Sequence, residues 1–285
     1  MLPAIGFTCC DENRALLDDA SIDAVQIRFA AAERAFHIEN YVRGCGLRAI
    51  SVHATELALA SPEACTRQLI AAIEAFAAAN DAQFLSAPLG VPGGDLRCQA
   101  GVLPPALTEA SLERTCRNID SIQRLLGARR LFLANLPAPD GAPGPLPEAD
   151  FLSSILQRTG CGWMLDVAAV FANSRNIGFD PYDFIAEVMP SASRVQMLLS
   201  GGRFDARTRR HVCSRSQPIP DEVWSLYRHA LVLGGHKTVA AFIVREANPP
   251  SSDGWLNEAR HARFLVERVS GRQRMLRKRE LIRRA

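Results

Sequence analysis

The sequence predicts a parallel α/β barrel of eight strands. Three observations lead there: short apolar runs recur eight times, longer helical patterns separate them, and the chain has 285 residues. Barrels of this kind usually need about 250 residues. The strand runs fall at 4–8, 24–29, 49–53, 83–86, 131–135, 162–166, 194–199 and 241–245. Each is short, apolar and bounded by polar or small residues, as strands covered on both faces are. No glycine fingerprint follows the first run, which argues against a doubly wound open sheet.

The spacers carry helix signals. Ser61, Pro62 and Glu63 read as an N-cap, a first-turn proline and a first-turn acid opening an alanine-rich helix that runs to Ala79. Thr108 caps a helix over 109–126, and Gly127 ends it. Asp180 with Pro181, and Pro220 with Asp221 and Glu222, open two more. The Pro/Gly stretch 137–147 is a long loop, because the strand–helix rhythm resumes directly after it.

Composition sets outer limits. With 48% hydrophobic and 22% charged residues, the chain can bury a large core, which excludes disordered and collagen-like classes. No apolar run is long enough to span a bilayer, and the first dozen residues carry acids where a signal peptide carries cations, so a cytoplasmic protein without membrane contact is expected. The eight cysteines (9, 10, 45, 65, 98, 116, 161 and 213) show no paired spacing and read as reduced thiols. The net charge of +3 conceals an asymmetry: residues 268–285 carry eight Arg or Lys and one Glu. We therefore divide the chain into a barrel over 1–268 and a basic helical extension over 269–285, and do not expect the barrel to bind nucleic acid.

In such a barrel, chemistry sits where strands end. Those positions hold Cys9, Arg28, His53, Asn135, Asp166, Ser200 and Arg245. One stretch is distinctive: Gly160-Cys161-Gly162-Trp163-Met164-Leu165-Asp166-Val167, followed by Asn176-Ile177-Gly178-Phe179-Asp180-Pro181 and later by Pro218-Ile219-Pro220-Asp221-Glu222-Val223-Trp224. Together with Ser51-Val52-His53 and the stretch from Leu103-Pro104-Pro105 to Asn118-Ile119, it resembles the multinuclear non-haem iron-dependent oxidase family that includes the methanobactin biosynthesis enzyme MbnB. The resemblance spans nearly the whole barrel. It implies a TIM-type barrel, two or three irons, and oxidation by O2 of cysteine or nearby residues in a ribosomally made precursor peptide. It also implies a partner protein that captures that peptide.

Carried over position by position, the family's ligands mostly fail. His53 and Asp166 stand where the family has a strand-three histidine and a strand-six aspartate. Pro88 replaces a strand-four histidine, Ala134 a strand-five glutamate, Leu199 a strand-seven histidine, Arg215 a further histidine and Val244 a strand-eight glutamate. An Asn pair becomes Ala168-Ala169, and an acid–Asn pair falls on Ala30-Ala31. Proline, alanine, leucine and valine offer no lone pair to a cation.

The leading expectation is therefore a degenerate, pseudoenzyme-like member with no cofactor. It would bind a precursor peptide, a peptide-capturing partner protein or an active paralogue. Arg203, Arg209, Arg210 and Arg215 would hold an acidic peptide or another anion, although the same segment also reads as a solvated loop. The alternative is a metal-dependent enzyme, using iron or zinc at His53 and Asp166 with His211, Cys213 or Glu246 as added ligands. A third reading makes Cys9 or Cys213 a thiolate nucleophile, for which no base stands out.

Overall fold

The structure is a computed structural model that describes residues 2–29, 46–63, 65–93, 101–245 and 250–284. Eight parallel strands close on themselves: β1 (Ala4–Thr8), β2 (Ala24–Arg28), β3 (Ala49–His53), β4 (Phe84–Pro88), β5 (Arg130–Ala134), β6 (Gly162–Asp166), β7 (Val195–Leu199) and β8 (Thr238–Ile243). Each pairs with its sequence neighbour, and β8 returns to β1. This is the barrel that the apolar runs predict. The last strand begins at Thr238, earlier than the expected 241, and takes in the β-prone Thr238 and Val239.

The interior is filled by side chains. Ala4, Ala24, Ala49 and Ala240 leave room for the rings of Phe84, Phe132 and Phe242, and Phe84 meets Phe132 edge-on at 5.6 Å. A Cβ on Gly162 would stand 2.4 Å from the Phe132 ring, so glycine there makes that packing feasible. Nearer the mouth lies a polar layer. Thr8 Oγ1 donates to Gln26 Oε1 (2.8 Å), and Ser51 Oγ donates to Gln196 Oε1 (3.1 Å).

The helices are α1 (Arg67–Ala79), α2 (Glu109–Leu125), α3 (Glu148–Thr159), α4 (Val167–Ile177), α5 (Pro181–Val188), α6 (Asp221–Gly234) and α7 (Ser252–Arg284). Thr108 and Asp180 cap α2 and α5 as their sequence predicts. The start of α1 differs. Ser61 accepts from the Glu63 amide in a local turn, whereas Thr66 caps the helix by accepting from the Leu69 amide. The basic extension is not a separate element: α7 runs unbroken from Ser252 through Arg284. Its first part seals the barrel side, with Trp255 edge-on to Phe7 at 5.0 Å and Arg263 paired to Asp23 at 2.6 Å.

Two small ribbons decorate the mouth. Val91–Pro92 pairs with Val102–Leu103, and Gly201–Asp205 pairs antiparallel with Arg210–Ser214. The second corrects the reading of 203–215 as a loop; it is a hairpin rising straight from β7. Among the described residues, no helix is long and apolar enough to cross a membrane. Six described cysteines (9, 10, 65, 116, 161 and 213) are free thiols, and Cys45 and Cys98 lie outside the described residues.

Candidate functional site

Side chains alternate along each strand, so the inward rows can be followed to the mouth. On β2 and β3 they run Ala24, Gln26, Arg28 and Ala49, Ser51, His53, with Arg28 opposite His53 and His53 opposite Ser86. On β6 the row is Gly162, Met164, Asp166. Arg28, His53 and Asp166 thus rim one opening.

His53 Nδ1 lies 2.9 Å from Ser86 Oγ, and that hydroxyl donates to the Val52 carbonyl at 3.3 Å. Because the serine proton is used there, we assign the imidazole proton to Nδ1, which leaves the lone pair on Nε2. Burial, then the charges of Arg28 and Arg215, push the His53 pKa down to about 3. The ring is neutral near pH 7. Burial together with Arg215 lowers Arg28 to about 10, so its guanidinium stays charged.

Asp166 ends β6 and caps α4, with Oδ1 accepting from the Ala169 amide at 2.9 Å. Burial raises its pKa against that amide and the Arg215 charge. Cys213 is buried, and burial with the nearby Asp166 charge raises its pKa well above the ordinary thiol value. Burial likewise raises Cys9 and Cys10 to about 11. These thiols are poor sources of thiolate, which removes the support for the nucleophile reading.

The structure therefore brings His53, Asp166, Cys213 and Arg215 together with Arg28. It sets His211 apart on the hairpin, where its ring packs against Phe204 (5.3 Å) and Phe171 (6.1 Å). Arg210 pairs with Asp140 at 2.6 Å, Arg203 and Arg209 are exposed, and Glu246 lies outside the described residues. Sequence reading named Arg28 only as a strand end; its inward register beside His53 is what brings it into the site.

Pro88 ends β4, and Ala134 and Val244 line the barrel interior. Leu199 instead faces the helices, and Leu198 is its inward neighbour on β7. Ala168 and Ala169 are buried in the first turn of α4, and Ala30-Ala31 lie outside the described residues. Among the described residues, no three His, Cys, Asp or Glu are grouped to hold a metal ion. The Arg28 and Arg215 charges also act on His53, and the Arg215 charge acts on Asp166; fixed positive charge opposes a second cation. The described donors do not fit a multinuclear iron centre.

Beside the mouth, a cleft of about 520 Å³ lies between the 137–143 loop and the hairpin residues His211, Val212 and Cys213. Its walls are mostly apolar, with Leu103, Pro104 and Leu136 among them.

Comparison with solved structures returns this barrel. L-ribulose 3-epimerase superposes with a TM-score of 0.59 at 13% identity, covering 99% of this chain and 98% of that one. A xylose isomerase-like TIM barrel protein from Mycobacterium smegmatis gives 0.58 at 15%, covering 95% and 97%. At such identities only the fold is shared. In sequence, a UPF0276 protein of Bordetella pertussis is 32% identical over 213 residues, 74% of this chain and 73% of that one. A UPF0276 protein of Rhizorhabdus wittichii is 29% identical over 223 residues, 76% of each. The model of the RiPP precursor modification enzymes MbnB, TglH and ChrH matches residues 39–267. With its closed barrel and the motifs at His53 and Asp166, this chain belongs to the MbnB/TglH/ChrH family of RiPP precursor modification enzymes.

Proposed function

We propose that this chain is a degenerate member of its family that works by binding. Its barrel holds a precursor peptide, or the partner protein or active paralogue that presents one, in ribosomal-peptide biosynthesis, and needs no metal. The observation that carries this reading is the make-up of the mouth. Arg28 and Arg215 flank His53, and Pro88, Ala134, Leu198 and Val244 line positions where a metal centre needs lone pairs. Two guanidinium groups suit carboxylates better than cations.

A second reading has one specific observation in its favour. His53 engages Ser86 through Nδ1, which leaves Nε2 for a metal. One iron held by His53, Asp166 and a further ligand such as Glu246 would, with O2 as the oxidant, give an enzyme that oxidises a peptide cysteine or its neighbour, whereas zinc there would be redox-inert. Elemental analysis of untagged protein from iron-supplemented cells separates the two. Iron or zinc below about a tenth of an equivalent is expected for the binding protein. One equivalent, lost in Asp166→Ala, would favour the second reading, and two or more irons would overturn the ligand assignment altogether.

A further inference from the structure

Among the described residues, the hairpin that rises from β7 has one edge sealed and one edge open. Asn176 on α4 seals the first: its Nδ2 donates to the His211 carbonyl and its Oδ1 accepts from the His211 amide, both at 2.8 Å. Both backbone groups of His211 therefore turn away from the partner strand. In an antiparallel ladder, the opposite residue does the same, and so does every second residue along. Phe204 is opposite His211 and Gly202 is opposite Cys213. The amides and carbonyls of Gly202 and Phe204 thus project from the other edge, where no backbone hydrogen bond from outside the hairpin reaches them among the described residues.

That edge carries its own recognition chemistry. Phe204 is 54% exposed, large for an aromatic ring beside an unpaired strand edge. Arg203, Arg207 and Arg209 are exposed around it, and Asp205 is the one acid of the segment. Arg203 and Phe204 point to opposite faces, so a strand laid alongside would meet a cation on one face and an aromatic ring on the other. The root of the hairpin is at the barrel mouth: Gly201 follows β7 closely, and Cys213 stands near enough to Asp166 to feel its charge.

We propose that the open edge at Gly202 and Phe204 pairs with an extended peptide segment in which acidic and apolar residues alternate, and leads it over the mouth beside His53 and Asp166. Four main-chain hydrogen bonds would supply affinity, and Arg203 and Phe204 would supply selectivity. This rests on the peptide-binding reading above, which it makes specific.

The test uses the full chain and a fluorescein-labelled peptide of about ten residues with alternating glutamate and valine, followed by anisotropy. Saturable binding is expected, with at least a tenfold loss when alternate peptide amides along one edge are N-methylated. That arm leaves the protein unmodified, so it is independent of how variants fold. Gly202→Pro, which removes an outward donor, should weaken binding to a similar degree, with its fold checked by circular dichroism. Replacing glutamate by glutamine in the peptide should weaken binding and flatten its salt dependence. Binding that methylation leaves unchanged would overturn the open edge while sparing peptide binding elsewhere on the barrel. No saturable binding would overturn the proposal, and metal content remains a separate test of the degenerate site.

Discussion

Asn135 holds Asp166 by both of its backbone groups. Its Oδ1 accepts from the Asp166 amide at 2.9 Å and its Nδ2 donates to the Asp166 carbonyl at 3.2 Å, while the same Oδ1 accepts from Trp163 Nε1 at 3.2 Å. Asn135 and Trp163 are both buried. One amide side chain thus fixes where β6 ends and where the carboxylate at the mouth stands.

Asn135→Ala leaves the Asp166 amide and the Trp163 indole without acceptors in a buried place. Each buried orphan costs about 1–3 kcal/mol, so a loss of about 2–6 kcal/mol is expected in urea unfolding. Asp166→Ala loses its cap on α4, about 1 kcal/mol, and the charge interaction with Arg215, offset by release of a carboxylate that burial disfavours. Equal losses in the two variants would show that Asn135 does not carry this load.

The contrast between Asn135 and the hairpin shows what the sequence made legible. The eight strands could be read because burial on both faces demands unbroken apolar runs, and strand ends could then be placed to within a residue or two. His53 and Asp166 were found in this way. The partners of those residues were not, because a hydrogen bond such as Asn135 to Asp166 joins adjacent strands across a connection of helical length, and no local pattern records it. The hairpin was missed for another reason. Arg203-Phe204-Asp205 and Arg210-His211-Val212 alternate too weakly in polarity to announce strands, and the pairing is stabilised from outside by Asn176. The false start of α1 at Ser61 shows the reverse: a good local capping pattern lost to a second cap, Thr66, five residues later.

Arg245 and Glu258 form a buried ion pair at 2.9 Å, with side chains only 6% and 14% exposed. It clasps the end of β8 to α7, and Glu258 Oε1 also accepts from the Ile219 amide at 3.3 Å. Arg245, placed at a strand end by the sequence, is thus committed to holding the fold. Arg245→Met strands a buried carboxylate and should cost about 3–5 kcal/mol, whereas Arg245→Met with Glu258→Leu removes both charges and should recover most of it. About 1 kcal/mol should persist for the unpaired Ile219 amide. A double variant as unstable as the single one would mean that the pair adds more than mutual neutralisation.

Glu148 offers a pH test at a second cavity. It begins α3 and shares a cavity of about 440 Å³ with Asp180, Asp183, Glu187 and apolar residues such as Phe184. Burial raises its pKa to about 7 from the ordinary 4.5. The folded state therefore holds this proton over a range in which the unfolded chain has released it. Stability contributed by the neutral carboxyl is complete below about pH 4.5, falls as pH rises, and is gone above about pH 7. At 1.36 kcal/mol per pKa unit, and allowing for the helix N-terminus that favours the anion, the loss is about 2 kcal/mol. Glu148→Gln should unfold at the same urea concentration as the parent near pH 4 and at a higher one near pH 8. Parallel profiles for the two proteins would show that the carboxyl is hydrated in the folded state, and that the cavity beside Phe184 is wet.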